Sequence, residues 1–278
     1  MFKKVYVEIT NHCNKNCSFC STNSLEPCEM SLDNFEHVLK EIKPFTKYIY
    51  LHVKGEPLIH KHFKEIIDLC FKYSIYVNIT TNGSFLSKYK DTLKNNIVKQ
   101  INISLQSYNS KIDDIDDIIK SSLFILKGSK ANIVFRFWAL KNNEFSSENK
   151  MIITKIEEYT NTHLYELILK EKNIKVIERL YINKSPLFLW PNLNNPYTKE
   201  GFCYGLKTHI AVLSNGVVTP CCLDSDGVIN LGNIYSEKLI DILNKERTKK
   251  IKSSFIQNKC SEELCKRCEY RLRFKKML

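Results

Sequence analysis

Three cysteines fall within eight residues at Cys13-Asn-Lys-Asn-Cys17-Ser-Phe-Cys20, a CxxxCxxC spacing. Thiolates this close in sequence can converge on one metal centre without help from distant parts of the chain. Soft sulfur ligands select zinc or iron–sulfur clusters. Structural zinc takes four ligands, commonly as CxxC pairs, and a fourth local partner is missing here. His12 is adjacent to Cys13 but faces away if the strand before it persists. A 4Fe–4S cluster held by three cysteines keeps one iron open to a ligand that is not protein.

A second set of thiols closes the chain. Cys203 precedes two β-prone runs, His209 to Leu213 and Val217 to Pro220, that flank Asn215-Gly216. Asn-Gly between such runs is a strong hairpin signal, and the second run delivers Cys221-Cys222. A helix expected around Glu237–Ile251 leads to Cys260, Cys265 and Cys268. A hairpin and a terminal CxxC can bring Cys203, Cys221, Cys265 and Cys268 together. Taken alone, that set also suits a zinc ribbon-like site. Cys222 and Cys260 are neighbours able to replace a ligand. Cys28 is a loop thiol without an assigned role, and Cys70 reads as a core residue.

These residues need elements to position them. Val5–Ile9 reads as a strand entering the first cysteine loop. Phe35, Val38, Leu39 and Ile42 repeat at helical spacing behind a cap at Ser31 or Asp33. Tyr48–Val53 is a strand ending in Lys54-Gly55-Glu56-Pro57. A helix over about 61–73 follows, then a strand Ile75–Thr80 ending Thr81-Asn82-Gly83. A helix near Leu86–Leu93 precedes a strand from Gln100 to Leu105 that contains Ser104. Asp113–Asp117 opens a helix whose first-turn carboxylates suit its dipole. The aromatic run Ile133–Leu140 is a fifth strand, Glu148–Asn161 a helix and Leu164–Leu169 a sixth strand. Alternating strands and helices imply a parallel sheet, and the units are too few for an eightfold barrel. Residues 172–202, with three prolines and the cluster Leu187-Phe188-Leu189-Trp190, are expected to cross the barrel mouth. Phe188 and Trp190 then either flank substrate or pack under the loop. The expected organisation is a core over 1–171, a connection over 172–202 and a cluster extension over 203–278.

The CxxxCxxC loop after a first strand, with Phe19 before its last cysteine, resembles the radical S-adenosylmethionine (radical SAM) enzymes. Gly55-Glu56-Pro57 matches the family's GEP motif at the second strand end. The second cysteine set resembles the family's auxiliary-cluster extensions, SPASM and the shorter twitch form, and its cysteine supply suits one auxiliary 4Fe–4S cluster. The resemblance implies an α/β fold: a partial (β/α)6 TIM-like barrel with a small C-terminal hairpin and helix extension. It implies that Cys13, Cys17 and Cys20 hold the catalytic 4Fe–4S cluster, whose open iron chelates S-adenosyl-L-methionine. Reductive cleavage then yields a 5′-deoxyadenosyl radical. Phe19 would offer its backbone to the adenine, and Gly55, Glu56 and Pro57 would serve the methionine end. Asn82, Ser104 and Arg136 would contact ribose or carboxylate. A flavodoxin or ferredoxin-type electron donor is the implied protein partner.

Composition sets limits. The chain has 278 residues, 43% of them hydrophobic, with 8 glycines and 7 prolines, a globular profile. Met1-Phe2-Lys3-Lys4 enters a strand directly, so no signal peptide is read, and no apolar run suits a bilayer. A cytoplasmic location is expected. Eleven cysteines without a signal favour metal binding over disulfides. The net charge is +12, and from Lys245 onward twelve Lys or Arg face four Glu. That surplus suits a solvated surface better than a nucleic-acid footprint, because no aromatic–basic RNA motif accompanies it. Without a peptide- or tRNA-binding domain, the expected substrate is a small polar metabolite. In size and motif set the chain is similar to the family's cyclitol dehydrogenases and to its queuine lyases, which cleave the side chain from a deazaguanine base; the latter is the leading expectation. Peptide maturation and a non-catalytic iron–sulfur nucleic-acid-binding module are the alternatives.

Overall fold

The computed structural model describes residues 1–21, 25–198 and 201–274. Strand β1 (Lys4–Val7) is followed by α1 (Leu32–Ile42), β2 (Tyr48–Tyr50), α2 (Phe63–Tyr73), β3 (Tyr76–Thr81), α3 (Leu86–Tyr89), β4 (Val98–Ser104), α4 (Ile115–Gly128) and β5 (Asn132–Leu140). The five strands pair in parallel, in chain order. Next come α5 (Ser147–Thr160), α6 (Tyr165–Lys170), β6 (Asn173–Ile177) and β7 (Leu180–Pro186). β7 extends the parallel sheet beside β5, and β6 returns antiparallel along its outer edge. On the other edge, β8 (His209–Val212) pairs in parallel with β1, and β9 (Val217–Thr219) and β10 (Gly232–Asn233) continue antiparallel. Helices α7 (Leu239–Asn244), α8 (Glu246–Ile256) and α9 (Glu263–Lys266) end the chain. The fold is α/β, an open partial barrel carrying a C-terminal hairpin extension.

Period-two alternation sorts the barrel's two faces. Val5 and Val7 on β1, and Ile49 on β2, are fully buried against the helices. Tyr6 and Tyr50, their neighbours on the other face, line an interior cavity. Each fully buried aliphatic contributes about 1.5–3 kcal/mol. Polar groups on the inner face bond to one another: Gln100 Nε2 donates to Asn102 Oδ1 (2.7 Å), and Asn102 Nδ2 donates to the Ile79 carbonyl (3.0 Å). Among the alternatives for α1, Ser31 is the cap, its hydroxyl accepting from Asn34 N–H, worth about 1 kcal/mol.

Three expected elements differ. Leu164–Leu169 is not a strand but the start of α6, because the Glu157 carboxylate accepts from the Leu164 and Tyr165 N–H groups. Leu164 and Ile168 are buried at helical spacing, while Leu167 and Leu169 are exposed. The sixth parallel strand is β7, inside the stretch expected to be an irregular connection; only the segment after Pro186 reaches the cavity mouth. The helix expected over Glu237–Ile251 is two helices, broken at Lys245, whose ψ of 145° is extended.

Glu8 locks the extension to the barrel. Its carboxylate is fully buried and accepts from Lys54 N–H (3.0 Å), Ser214 N–H (3.1 Å) and the Ser214 hydroxyl (2.9 Å). One side chain after β1 thus fixes both the loop after β2 and the β8–β9 turn. Lys54 Nζ adds an ion pair to Asp226 at 2.9 Å.

Candidate active site

Cys13, Cys17 and Cys20 occupy the loop after β1, at the carboxyl end of the sheet, where open α/β folds bind ligands. Cys20 N–H donates to the Cys17 carbonyl at 3.0 Å, closing a turn between them. β1 ends at Val7, so His12 lies beyond the strand and lines the cavity instead of facing away. Lys15 anchors the loop's middle through Asp113 (2.6 Å) and the Ser107 carbonyl (2.9 Å). Asn82 Nδ2 donates to Asn14 Oδ1 (2.8 Å) and points at Cys13 Sγ (3.8 Å). Trp190 Nε1–H reaches across from the mouth segment to the Phe19 carbonyl at 3.0 Å.

The Gly55-Glu56-Pro57 turn buttresses this loop. Gly55 has φ +73°, and a Cβ there would stand 2.3 Å from the Thr10 carbonyl oxygen and 2.6 Å from that of His12. Only glycine permits that approach. Glu56 N–H then donates to the His12 carbonyl at 2.7 Å. The Glu56 carboxylate is 1% exposed. It accepts from Leu58 N–H (3.0 Å), the Thr81 hydroxyl (2.7 Å) and Asn82 N–H (2.6 Å). Burial pushes its pKa up to about 7 against those donors. Three of its lone-pair positions are thus held within the chain, tying the β2 and β3 ends together. Pro57 starts a short 3₁₀ turn and is buried outside the cavity lining.

Ser104 and Arg136 are register partners on β4 and β5, and both line the cavity. The Arg136 guanidinium lies over the Trp138 ring at 4.5 Å and reaches Thr80 Oγ1 at 3.5 Å. Its Nε is buried without a hydrogen-bond partner. The surrounding tyrosines, Tyr6, Tyr50 and Tyr270, bring no carboxylate, and desolvation lowers its pKa to about 10.

The second cysteine set gathers at the cavity's other end. Cys203, Cys221 and Cys268 line it, and Cys265 stands behind them, close enough to Cys203, Cys260 and Cys268 to interact with each. Burial, and then the crowding of the thiols, raises Cys221 and Cys265 well above the ordinary thiol range; Cys203 rises to about 11. Burial likewise raises Cys13, Cys17 and Cys20. Thiols in this state ionise when a cation neutralises them, as metal ligation requires. All-thiolate donor sets of this kind suit iron–sulfur clusters by their softness. Cys70 is fully buried on α2, as a core thiol.

Both sets open onto one cavity of about 840 Å³, within the usual range for small-molecule sites. Phe188 and Trp190 line it too, with ring centroids 5.3 Å apart. Lys4, Tyr6, Tyr50 and His52 also line it and were not singled out from the sequence. The strand alternation that buries Val5, Val7 and Ile49 outward could have found them.

Residues 7–124 match the model of the radical SAM superfamily, and residues 203–269 match that of the SPASM iron–sulfur cluster-binding domain. A probable GTP 3′,8-cyclase of Methanocaldococcus jannaschii is 25% identical over 262 residues, covering 82% of this chain and 88% of that one. The GTP 3′,8-cyclase of Campylobacter fetus is 26% identical, covering 95% and 94%. The crystal structure of BtrN in complex with AdoMet and 2-DOIA has a TM-score of 0.62 at 17% identity, over 97% of this chain and 93% of BtrN. Streptococcus suis SuiB bound to its precursor peptide SuiA has a TM-score of 0.65 at 17% identity, over 96% of this chain and 71% of SuiB.

Proposed function

Because this chain is a radical SAM enzyme with a SPASM iron–sulfur extension, we propose that it abstracts hydrogen from a small polar metabolite held between two clusters. The observation that carries this reading is the single cavity onto which both cysteine sets open. The non-catalytic nucleic-acid module is set aside by the superfamily match.

In this reading Cys13, Cys17 and Cys20 hold the catalytic 4Fe–4S cluster, and Cys203, Cys221, Cys265 and Cys268 hold one auxiliary cluster. When bound and reduced, the first cluster with S-adenosylmethionine supplies the radical that takes the hydrogen. The chain's own residues set the geometry. Gly55 lets the GEP turn press against the cluster loop, and Glu56 fixes the backbone of Asn82, whose amide holds Asn14 beside Cys13. Asn82 and Ser104 offer polar atoms to the cofactor at the strand ends. The Phe19 carbonyl accepts from Trp190, and the Phe19 backbone is offered to the adenine. Phe188 and Trp190 wall the mouth and limit water. Electrons come from a flavodoxin or ferredoxin-type donor.

Queuine lyase rests on overall likeness, and none of the relatives reported above is named for it. GTP 3′,8-cyclases align over most of the chain, which places a nucleotide beside queuine and cyclitols as a substrate to test. Peptide maturation is the second reading, since SuiB, which shares the fold, is solved with its precursor peptide. The test is 5′-deoxyadenosine formation by anaerobically reconstituted protein with queuine, GTP, a cyclitol panel or no addition. A compound that raises product several-fold and is itself changed identifies the substrate class. Product indifferent to every small molecule, but raised by a glycine- or cysteine-rich peptide, would overturn the small-metabolite reading.

A further inference from the structure

Among the described residues, part of the cavity carries positive charge that no carboxylate offsets. Among the described residues that line the cavity, the only carboxylate is Glu56, and it is already held by three donors. Of the cations, Lys15 is paired with Asp113 and Lys54 with Asp226, and Arg271 is engaged by the Cys265 carbonyl and the Thr198 hydroxyl. Among the described residues, Arg136 and Lys4 face no carboxylate. Lys4 Nζ lies over the Tyr50 ring at 5.4 Å, and Arg136 reaches only a hydroxyl and an indole face.

Two polar atoms here are buried without hydrogen-bond partners, Arg136 Nε and His52 Nδ1. Leaving such groups unmet costs about 1–3 kcal/mol each, and a bound anion or ligand is one of the ways native sites offset it. Both cations act on His52. Burial, then Arg136 and Lys4, lower its pKa to about 3, so it faces the cavity as a neutral imidazole. Tyr6 packs edge-on to His52 with centroids 5.4 Å apart, which fixes the ring. Tyr270 and Cys222, which act on Arg136, belong to the C-terminal extension, so the guanidinium lies within reach of the second cysteine set as well as of the strand ends.

We propose that Arg136, His52 and Lys4 form an anion subsite for the substrate, so that the metabolite carries a carboxylate or phosphate group. This rests on the reading of the cavity as the active site, and it reassigns Arg136 from cofactor to substrate. An arginine fork matches either oxyanion in bidentate fashion. Neutral His52 donates or accepts one further hydrogen bond, and Lys4 adds charge at the floor.

The test uses the full-length, anaerobically reconstituted protein saturated with S-adenosylmethionine. Pyrophosphate and malonate serve as phosphate and carboxylate probes in calorimetric titrations. One probe should bind with one-to-one stoichiometry, equally well with or without S-adenosylmethionine, and which one binds names the anion. Arg136→Gln should weaken it at least ten-fold and Arg136→Lys less. Lys4→Gln, at an exposed position that folding tolerates, should weaken it about three-fold. Failure of both probes to bind, or wild-type affinity in both Lys4→Gln and Arg136→Gln, would overturn the subsite. So would displacement of the probe by S-adenosylmethionine, which would return Arg136 to the cofactor's carboxylate. A probe that binds to protein forming no 5′-deoxyadenosine would keep the subsite and remove the radical reading.

Discussion

Gly55→Ala should cripple the first cluster site from a position that is not a ligand. Alanine at φ +73° costs about 1–2 kcal/mol on backbone grounds alone. Its Cβ would meet the Thr10 and His12 carbonyl oxygens at 2.3 and 2.6 Å, so the turn must part from the cluster loop. Parting breaks the 2.7 Å bond from Glu56 N–H to the His12 carbonyl, and unmet buried groups add about 1–3 kcal/mol. The sum is about 2–5 kcal/mol, or a Tm fall of roughly 4–20 °C for a chain of this size. Scanning calorimetry of the apo-protein under reducing, anaerobic conditions measures the fall. Iron after reconstitution should drop to about half, because the second set lies elsewhere. A variant that melts within about 1 °C of wild type and loads full iron would refute the buttress.

Burial lifts Glu56 to about 7 from the ordinary 4.5. Its stabilising effect is whole below about pH 4.5 and is lost as pH rises to about 7. At about 1.4 kcal/mol per unit this amounts to about 3 kcal/mol, and Glu56→Gln should flatten that part of the apo-protein's stability profile. A variant that keeps the wild-type slope contradicts the assignment. Trp190→Phe keeps the ring and removes the donor to Phe19, about 1 kcal/mol; a chelator should then strip iron about five-fold faster, and an unchanged rate removes the strap. Cys203→Ala or Cys265→Ala should lower total iron to about half, whereas Cys260→Ala should not. Loss of iron with Cys260→Ala would make it a ligand in place of one of the four.

Much of the barrel is legible in the sequence because its strands alternate and its helices repeat at regular spacing. The first cysteine loop and the GEP turn are local motifs, and a local motif needs no knowledge of the fold. Leu164–Leu169 misleads because a run of leucines suits strand and helix alike; the deciding contact is Glu157, seven residues upstream. β7 is hidden by Asn183 and Pro186, which read as loop although the strand pairs in parallel along β5. Lys4 and His52 are legible only as inward-facing strand positions, by alternation with Val5 and Ile49; that they line one cavity follows from β1 and β2 pairing side by side. The role of Glu56 also sharpens only in three dimensions, where its donors come from its own turn and from β3.

The most direct measurement of the central claim is anaerobic. Protein reconstituted with iron and sulfide, reduced with dithionite and given S-adenosylmethionine should release 5′-deoxyadenosine and methionine in equal amounts. Cys13→Ala, Cys17→Ala and Cys20→Ala should release none while keeping the iron of the second set. Wild-type protein that carries its full iron and releases neither product would contradict the assignment of the first cysteine loop as the radical-generating site.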